Sequence, residues 1–182
     1  MNRLAIITVG KTHSGKTTFA RKLEEQLPNS VVIDQDNHAE FINAYYKKLI
    51  PSQGPNNLKY TITQTMVDYT IKQTDYHLIK CNSNRNQKSR LDNINYYKKN
   101  GFITIIVYFN LPEQVLNDRV KHTKRSTNIF RTASSFEEVL ERQGKENDVK
   151  HPTLQEADYL YEIKSNGDVQ DAIAEILEIK GV

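Results

Sequence analysis

Short apolar runs alternate along the chain with longer segments in which apolar residues recur every three or four positions. The runs predict five strands, over residues 4–9, 31–34, 76–81, 102–109 and 159–163. The longer segments predict helices over residues 16–27, 38–50, 58–74, 86–100, 112–124, 135–147 and 169–180. Regular alternation of this kind is typical of α/β proteins with a parallel sheet. The pattern therefore predicts a three-layer sandwich around a five-stranded parallel sheet.

The same periodicity predicts which sides of the helices are buried. The first helix is expected to bury Phe19, Leu23 and Leu27. In the next two helices the expected apolar sides are Phe41, Ala44, Tyr45 and Leu49, and then Ile62, Met66, Tyr69 and Gln73.

Length and composition indicate a single domain and exclude several classes of protein. A length of 182 residues suits a single domain over residues 1–182. No apolar run is long enough to span a bilayer, and the single cysteine, Cys81, excludes an intramolecular disulfide and a cysteine-rich zinc site. A reduced, cytoplasmic setting is therefore expected.

Charge is unevenly distributed along the chain, although the net charge is only +3. Residues 80–131 contain eleven basic and three acidic side chains, whereas residues 132–182 contain five basic and twelve acidic ones. A basic middle segment favours an anionic partner, and the alternative is a set of solvated helix surfaces.

The loop after the first strand carries the most specific motif. Residues 10–17 match G-x-x-x-x-G-K-[ST] in full, between an apolar strand and an amphipathic helix. The fold expected is therefore a P-loop NTPase sandwich. Lys16 is expected to reach the β- and γ-phosphates of a nucleotide, and the hydroxyl of Thr17 to bind Mg²⁺. The predicted nucleotide-binding residues are Gly10, Lys11, Thr12, His13, Ser14, Gly15, Lys16, Thr17 and Thr18.

Two acids follow the second strand, Asp34 and Asp36. Carboxyl ends of parallel strands face the ligand in such folds, so both carboxylates are expected on the ligand side. The alternative is a helix N-cap and a first-turn acid. The sequence lacks the Asn-Lys-x-Asp motif of GTPases, and no strand ends in the Asp-Glu pair of transport ATPases.

A later strand leads through Pro112 into a helix that bears Arg119. Together with the loop at residues 10–17 and the acids Asp34 and Asp36, this makes the sequence resemble the small P-loop kinases that phosphorylate a hydroxyl. They include adenylylsulfate kinase, chloramphenicol phosphotransferase, the zeta toxins and the kinase domain of polynucleotide kinase. The resemblance extends weakly to Pro152, Glu156 and Asp158 before the last strand.

The resemblance implies an enzyme that uses ATP and Mg²⁺, with Lys16, Asp36, Arg119 and Arg125 as its catalytic residues. Asp36 would be the base that orients and deprotonates the acceptor hydroxyl. An arginine-rich lid, at about residues 120–134, would bring Arg119 and Arg125, and less directly Arg131, onto the transferred phosphoryl group.

The resemblance also implies that Arg90 touches the acceptor. It further implies that Asp34 shares the metal site with Thr17, because the third strand ends in Cys81 and Asn82, where many of these kinases place an acid.

Three functions stay open at this point. The first is a kinase acting on a small molecule or a nucleoside or nucleotide, of which a zeta-like toxin would be a variant. The second is a kinase acting on the 5′-hydroxyl of a polynucleotide, with the basic segment and tyrosines as a strand-binding groove. The third is a nucleotide-binding regulator with little turnover. The acceptor, the preference for ATP over GTP and the oligomeric state are not encoded in any motif.

Overall fold

A five-stranded, wholly parallel sheet forms the centre of the computed structural model, which describes residues 2–146 and 149–179. The strands are β1 (Arg3–Gly10), β2 (Ser30–Asp34), β3 (His77–Cys81), β4 (Phe102–Phe109) and β5 (Tyr159–Ile163). Their order is β2-β3-β1-β4-β5. The longest strands, β1 and β4, pair from Arg3 opposite Phe102 to Gly10 opposite Phe109. The predicted parallel sheet is confirmed.

Helices follow the strands nearly as predicted. They are α1 (Lys16–Gln26), α2 (Gln35–Tyr45), α3 (Asn57–Gln73), α4 (Gln87–Lys99), α5 (Glu113–Lys121), α6 (Phe136–Gly144) and α7 (Asp168–Leu177), with a short 3₁₀ turn at Lys47–Leu49. Helix α2 begins three residues earlier than predicted, because the carboxylate of Asp34 accepts a hydrogen bond from the amide of Asp36 and caps the helix. The predicted helix ends at Asn147 and Lys180 lie outside the described residues.

Two apolar layers cover the faces of the sheet and make the expected three-layer sandwich. One face packs against α1 and α7, through residues such as Phe19, Leu23 and Ile173. The other packs against α3 and α4, through residues such as Val67 and Ile94. The predicted buried face of α1 is confirmed, since Phe19, Leu23 and Leu27 are each about 1% exposed or less.

The predicted apolar faces of α2 and α3 are wrong. Helix α2 buries Ala39 and Ile42, and helix α3 buries Thr63, Val67, Thr70 and Ile71. The hydroxyls of Thr63 and Thr70 donate to carbonyls one turn earlier, so these threonines can be buried without an unpaired donor. As a result Phe41, Tyr45, Leu49, Met66 and Tyr69 are exposed.

A third, smaller apolar cluster lies beside the main core. Its buried members are Leu116 and Val120 of α5 and Phe136 and Leu140 of α6, and Leu111, Ile129 and Phe130 pack against them. The segment between these helices, residues 122–135, contains most of the predicted lid, which was placed at about residues 120–134, and is called the lid segment below.

No helix in residues 2–146 and 149–179 is long and apolar enough to cross a membrane.

Candidate active site

A cleft of about 1610 Å³ lies at the carboxyl ends of the strands. The loop after β1, the acids after β2, the asparagines after β3 and the segment between α5 and α6 all contribute to its walls. This is where ligands bind in open parallel sheets. Of the predicted nucleotide-binding residues, Thr12 to Thr18 line the cleft, whereas Gly10 and Lys11 line a smaller cavity of about 290 Å³ behind it.

The glycine spacing of the loop has a steric cause in the structure. Gly10 has φ +155°, and a Cβ there would lie 2.9 Å from the Cβ of Phe109, so a side chain does not fit. Gly15 adopts φ +101°, a conformation that L-residues rarely take. It precedes α1, whose first turn has no side-chain cap. The free amides and the positive end of this helix are therefore available to an anion.

The side chain of Lys16 folds back over the loop. Its ammonium donates to the backbone carbonyl of Lys11 and, at 3.2 Å, to the hydroxyl of Ser14. Burial lowers the pKa of Lys16 to about 8, against the opposing charges of Asp36 and Asp34. A phosphate group beside this ammonium would relieve the unfavourable burial of its charge.

Thr17 and Asp34 lie together, as the metal prediction requires. The hydroxyl of Thr17 donates to the Oδ2 atom of the buried Asp34 at 3.2 Å. In the described part of the chain, no cluster of three or more His, Cys, Asp or Glu residues could hold a metal ion. One hydroxyl and one carboxylate nonetheless fit Mg²⁺, which usually keeps several waters and binds substrate phosphates alongside one or two protein ligands.

Cys81 lies at the end of β3, beside Thr17. Its sulfur lies 3.6 Å from the hydroxyl of Thr17. Burial, with a smaller contribution from Asp34, raises the pKa of the thiol to about 12, so the thiol stays neutral at physiological pH. Asp34 therefore supplies the carboxylate nearest to Thr17.

Asp36 faces the lid segment. Its Oδ2 atom accepts a hydrogen bond of 2.6 Å from the guanidinium of Arg125, and both side chains are partly exposed. The structure thus brings together two residues that lie 89 positions apart in the sequence and that were predicted to act on the same reaction.

Arg119 lies against the phosphate-binding loop rather than in the lid segment itself. Its guanidinium donates to the backbone carbonyl of His13 at 3.1 Å and to the side chain of Asn166 at 2.8 Å. His13 packs edge-on against Phe136, with ring centroids 4.6 Å apart. Its pKa is lowered by burial and then by the charges of Arg125 and Lys16. These contacts join the loop, α5 and the start of α6.

Arg90 does not reach the cleft, and its placement contradicts the predicted contact with the acceptor. The side chain is fully buried and pairs with Glu156 through its Nε at 2.6 Å and its Nη2 at 3.0 Å. The remaining donors bind the carbonyls of Asn84, Arg85 and Lys150. All the donors of the guanidinium are used within the protein, so Arg90 holds the loop after β3 in place.

Several residues of the cleft were not predicted from the sequence. Gln143 of α6 accepts a hydrogen bond from the amide of Thr12 at 2.7 Å and so joins α6 to the loop. Two lysines, Lys59 at the start of α3 and Lys80 in β3, also line the cleft. A charged residue within an otherwise apolar strand was the available signal for Lys80.

Comparison with known protein families agrees with this geometry. A family model described as "AAA domain" matches residues 6–145, which is more than three quarters of the chain. No curated protein matches the sequence.

Solved structures share the fold along nearly the whole chain. Shikimate kinase from Acinetobacter baumannii, in complex with shikimate, superposes with a TM-score of 0.56 at 22% identity, covering 97% of this chain and 92% of that one. The APS kinase CysC of Mycobacterium tuberculosis, in complex with AMPPNP and APS, gives 0.58 at 15% identity, with 97% and 96% covered. Kti12 of Chaetomium thermophilum, in complex with ADP-AlF3, gives 0.65 at 13% identity, with 96% and 97% covered. The predicted resemblance to small P-loop kinases is confirmed at the level of the fold.

Proposed function

The chain belongs to the AAA domain family, and on that premise we propose that it is an ATP-dependent kinase. It transfers the γ-phosphate to a hydroxyl group of a small molecule or of a nucleoside or nucleotide. The observation that carries the proposal is the pairing of Asp36 with Arg125 in the same cleft that Lys16 and Thr17 line. A carboxylate at that place suits an acceptor hydroxyl, whereas a protein that only binds nucleotide has no use for it.

Each residue then has a defined task. Lys16 and the amides at the start of α1 bind the β- and γ-phosphates, and Arg119 and Arg125 neutralise charge on the transferred group. Thr17 and Asp34 would hold Mg²⁺, which offsets the charge of the phosphates when it is bound. Asp36 accepts the proton of the acceptor hydroxyl as its oxygen attacks the γ-phosphorus and ADP leaves. Because Arg125 pairs with Asp36, the acceptor must displace that guanidinium toward the phosphates.

The test follows labelled γ-phosphate from ATP with Mg²⁺ onto a panel of acceptors. The panel contains nucleosides, nucleoside monophosphates, 5′-hydroxyl oligonucleotides, sugars, shikimate and APS. We expect label on one acceptor class, and a loss of about 10²–10⁴ in rate for Asp36→Asn with ATP binding unchanged. Glu40→Gln is the matched control, since Glu40 is an exposed acid on the same helix that does not line the cleft. Full activity of Asp36→Asn would refute the assignment of the base.

A nucleotide-binding regulator is the second candidate. One observation favours it: the residue at the end of β3 beside Thr17 is Cys81, whose neutral thiol gives a metal ion no second carboxylate there. Tight ATP binding without transfer to any acceptor in the panel would favour this candidate over the kinase.

A further inference from the structure

Lys80 is a buried lysine in the middle of the sheet. Its side chain is only 7% exposed, and β3 pairs with β2 on one side and β1 on the other. Leu78, two residues earlier, belongs to the apolar layer under α3 and α4, so Lys80 points toward the same helices. Its ammonium donates one hydrogen bond, of 2.8 Å, to the side chain of Asn93 on α4.

The charge of this lysine is not compensated by a neighbouring acid in the described residues. Burial alone lowers its pKa, to about 8, and no nearby carboxylate opposes that shift. An ammonium group has three donors, of which the contact with Asn93 uses one. A buried cation without a partner destabilises a fold, so an apolar side chain of similar size would be the more stable choice at this position. The position therefore points to a ligand that supplies the missing negative charge.

The surroundings of Lys80 also favour an anion. Helices α3 and α4 both begin at the cleft, with their N-caps Asn56 and Asn86 among its lining residues. The positive ends of both helix dipoles therefore face this region. The N-termini add to the charge of Lys80, and neither alone would define a site.

Lys59 connects this region to the predicted base. It lies in the first turn of α3, and burial lowers its pKa. The charge of Asp36 acts in the opposite direction, and the charge of Arg131 adds to the lowering. Asp36, Lys59 and Arg131 all line the same cleft, so a molecule bound in it at Asp36 has both cations on the walls around it.

We infer that Lys80, together with Lys59, binds an oxyanion of the acceptor, so that the acceptor carries a phosphate, sulfate or carboxylate group besides the hydroxyl that is phosphorylated. Calling the bound molecule the acceptor rests on the proposed kinase function, whereas the anion site itself does not. The inference removes neutral sugars and nucleosides from the candidate acceptors.

The test measures anion binding at Lys80 without relying on transfer. Protein with ¹³C-labelled lysine side chains is saturated with AMPPNP and Mg²⁺, so that the phosphate-binding loop is occupied, and is titrated with inorganic phosphate and, separately, with sulfate. The Lys80 signal is assigned from its loss in Lys80→Met. We expect phosphate to shift this signal, and Lys80→Met to weaken phosphate binding about tenfold or more, as is typical for a lost charged hydrogen bond.

Two control variants separate binding from folding. Lys88→Met removes an exposed lysine from the same end of α4 and is expected to leave phosphate binding unchanged. Lys80→Arg keeps the charge and is expected to retain most of the binding. Lys80→Met is also expected to melt at the same temperature as the wild type or higher, because it removes an uncompensated buried charge. A purely structural lysine would give the opposite result, with a lower melting temperature.

The outcomes distinguish this inference from the proposed function. An unmoved Lys80 signal, or equal phosphate affinity in the wild type and Lys80→Met, overturns the anion site. Transfer of label to a neutral acceptor, with a KM that Lys80→Met does not change, also overturns the inference but leaves the kinase proposal standing. Phosphate binding at Lys80 with no transfer to any acceptor supports the anion site and refutes the kinase function.

Discussion

Removing the guanidinium of Arg90 tests whether this residue is structural, as its contacts indicate. The substitution Arg90→Met keeps a long side chain but leaves the buried carboxylate of Glu156, among residues 2–146 and 149–179, with only the side-chain amide of Gln87, at 3.4 Å. It also removes the donors to the carbonyls of Asn84 and Lys150. Breaking a buried ion pair by removing one partner costs about 3–5 kcal/mol. Because the side chains of Arg90 and Glu156 are 0% and 4% exposed, solvent does little to screen this loss.

The expected effect is large compared with the stability of a domain of this size. Total stabilities are about 5–15 kcal/mol, so the substitution removes a substantial part of the free energy of unfolding. At about 2–4 °C for each kcal/mol, the melting temperature should fall by about 6–20 °C. Urea unfolding followed by circular dichroism measures the free energy of unfolding of both proteins. The two values can be compared directly if the slope of that free energy against urea concentration is the same in the variant and the wild type.

Two further variants make the measurement interpretable. Arg90→Met combined with Glu156→Leu removes both charges and should recover part of the lost stability, since no buried charge is left unpaired. Arg21→Met breaks the exposed pair with Glu24 and should cost less than about 1 kcal/mol. The reasoning is refuted if Arg90→Met stays within about 1 kcal/mol of the wild type. If that variant instead raised the KM for the acceptor, the original prediction of an acceptor contact would be restored.

Three other variants test the site. Lys16→Ala should reduce transfer of labelled phosphate to background, because it removes the ammonium assigned to the β- and γ-phosphates, and an unchanged rate would refute its role. Arg125→Ala should lower kcat by about 10²–10³ in the same assay, since it removes a positive charge from the transferred group, and an unaffected kcat would remove Arg125 from the reaction. Lys80→Met should exceed the wild type in unfolding free energy most clearly below about pH 8. Between about pH 8 and pH 10.5 the unfolded wild type still binds a proton at Lys80 that the folded wild type has lost, so the unfolding free energy of the wild type rises with pH. The difference between Lys80→Met and the wild type should therefore narrow toward pH 10.5. Urea unfolding across this pH range checks the trend, and a difference that grows with pH would contradict the assigned pKa direction.

Local patterns were sufficient to predict the sheet and the phosphate-binding loop. The five strands are short runs rich in apolar residues, and the loop motif has a fixed spacing of glycines. Both patterns are visible in residues near each other in the sequence, although the clash that requires glycine at position 10 is with the distant Phe109. The elements and the predicted loop could therefore be recognised without knowledge of the tertiary structure.

Features that depend on distant partners could not be predicted in the same way. The resemblance to small P-loop kinases predicted that Arg90 touches the acceptor, but its partner Glu156 lies 66 residues later and holds it in the interior. The exposed aromatic side of α3 accompanies the burial of Thr63 and Thr70, whose hydroxyls bind the preceding turn of the helix. Hydrophobic periodicity treats threonine as a polar residue, and it cannot show that a hydrogen bond of the hydroxyl within the helix allows the residue to be buried.

The small cluster of Leu116, Val120, Phe136 and Leu140 has a consequence for how this protein can diversify. It gives the base of the lid segment a core of its own, distinct from the two layers that hold the sheet. Substitutions in the lid can then be absorbed locally, while the strands that set the phosphate-binding loop keep their packing. Such modularity lets sequence changes accumulate in the lid segment without disturbing the packing of the sheet, provided that Arg119 and Gln143 keep their contacts with the phosphate-binding loop. A lid exchanged between related chains as the whole span from α5 to α6 would transfer with its own packing intact.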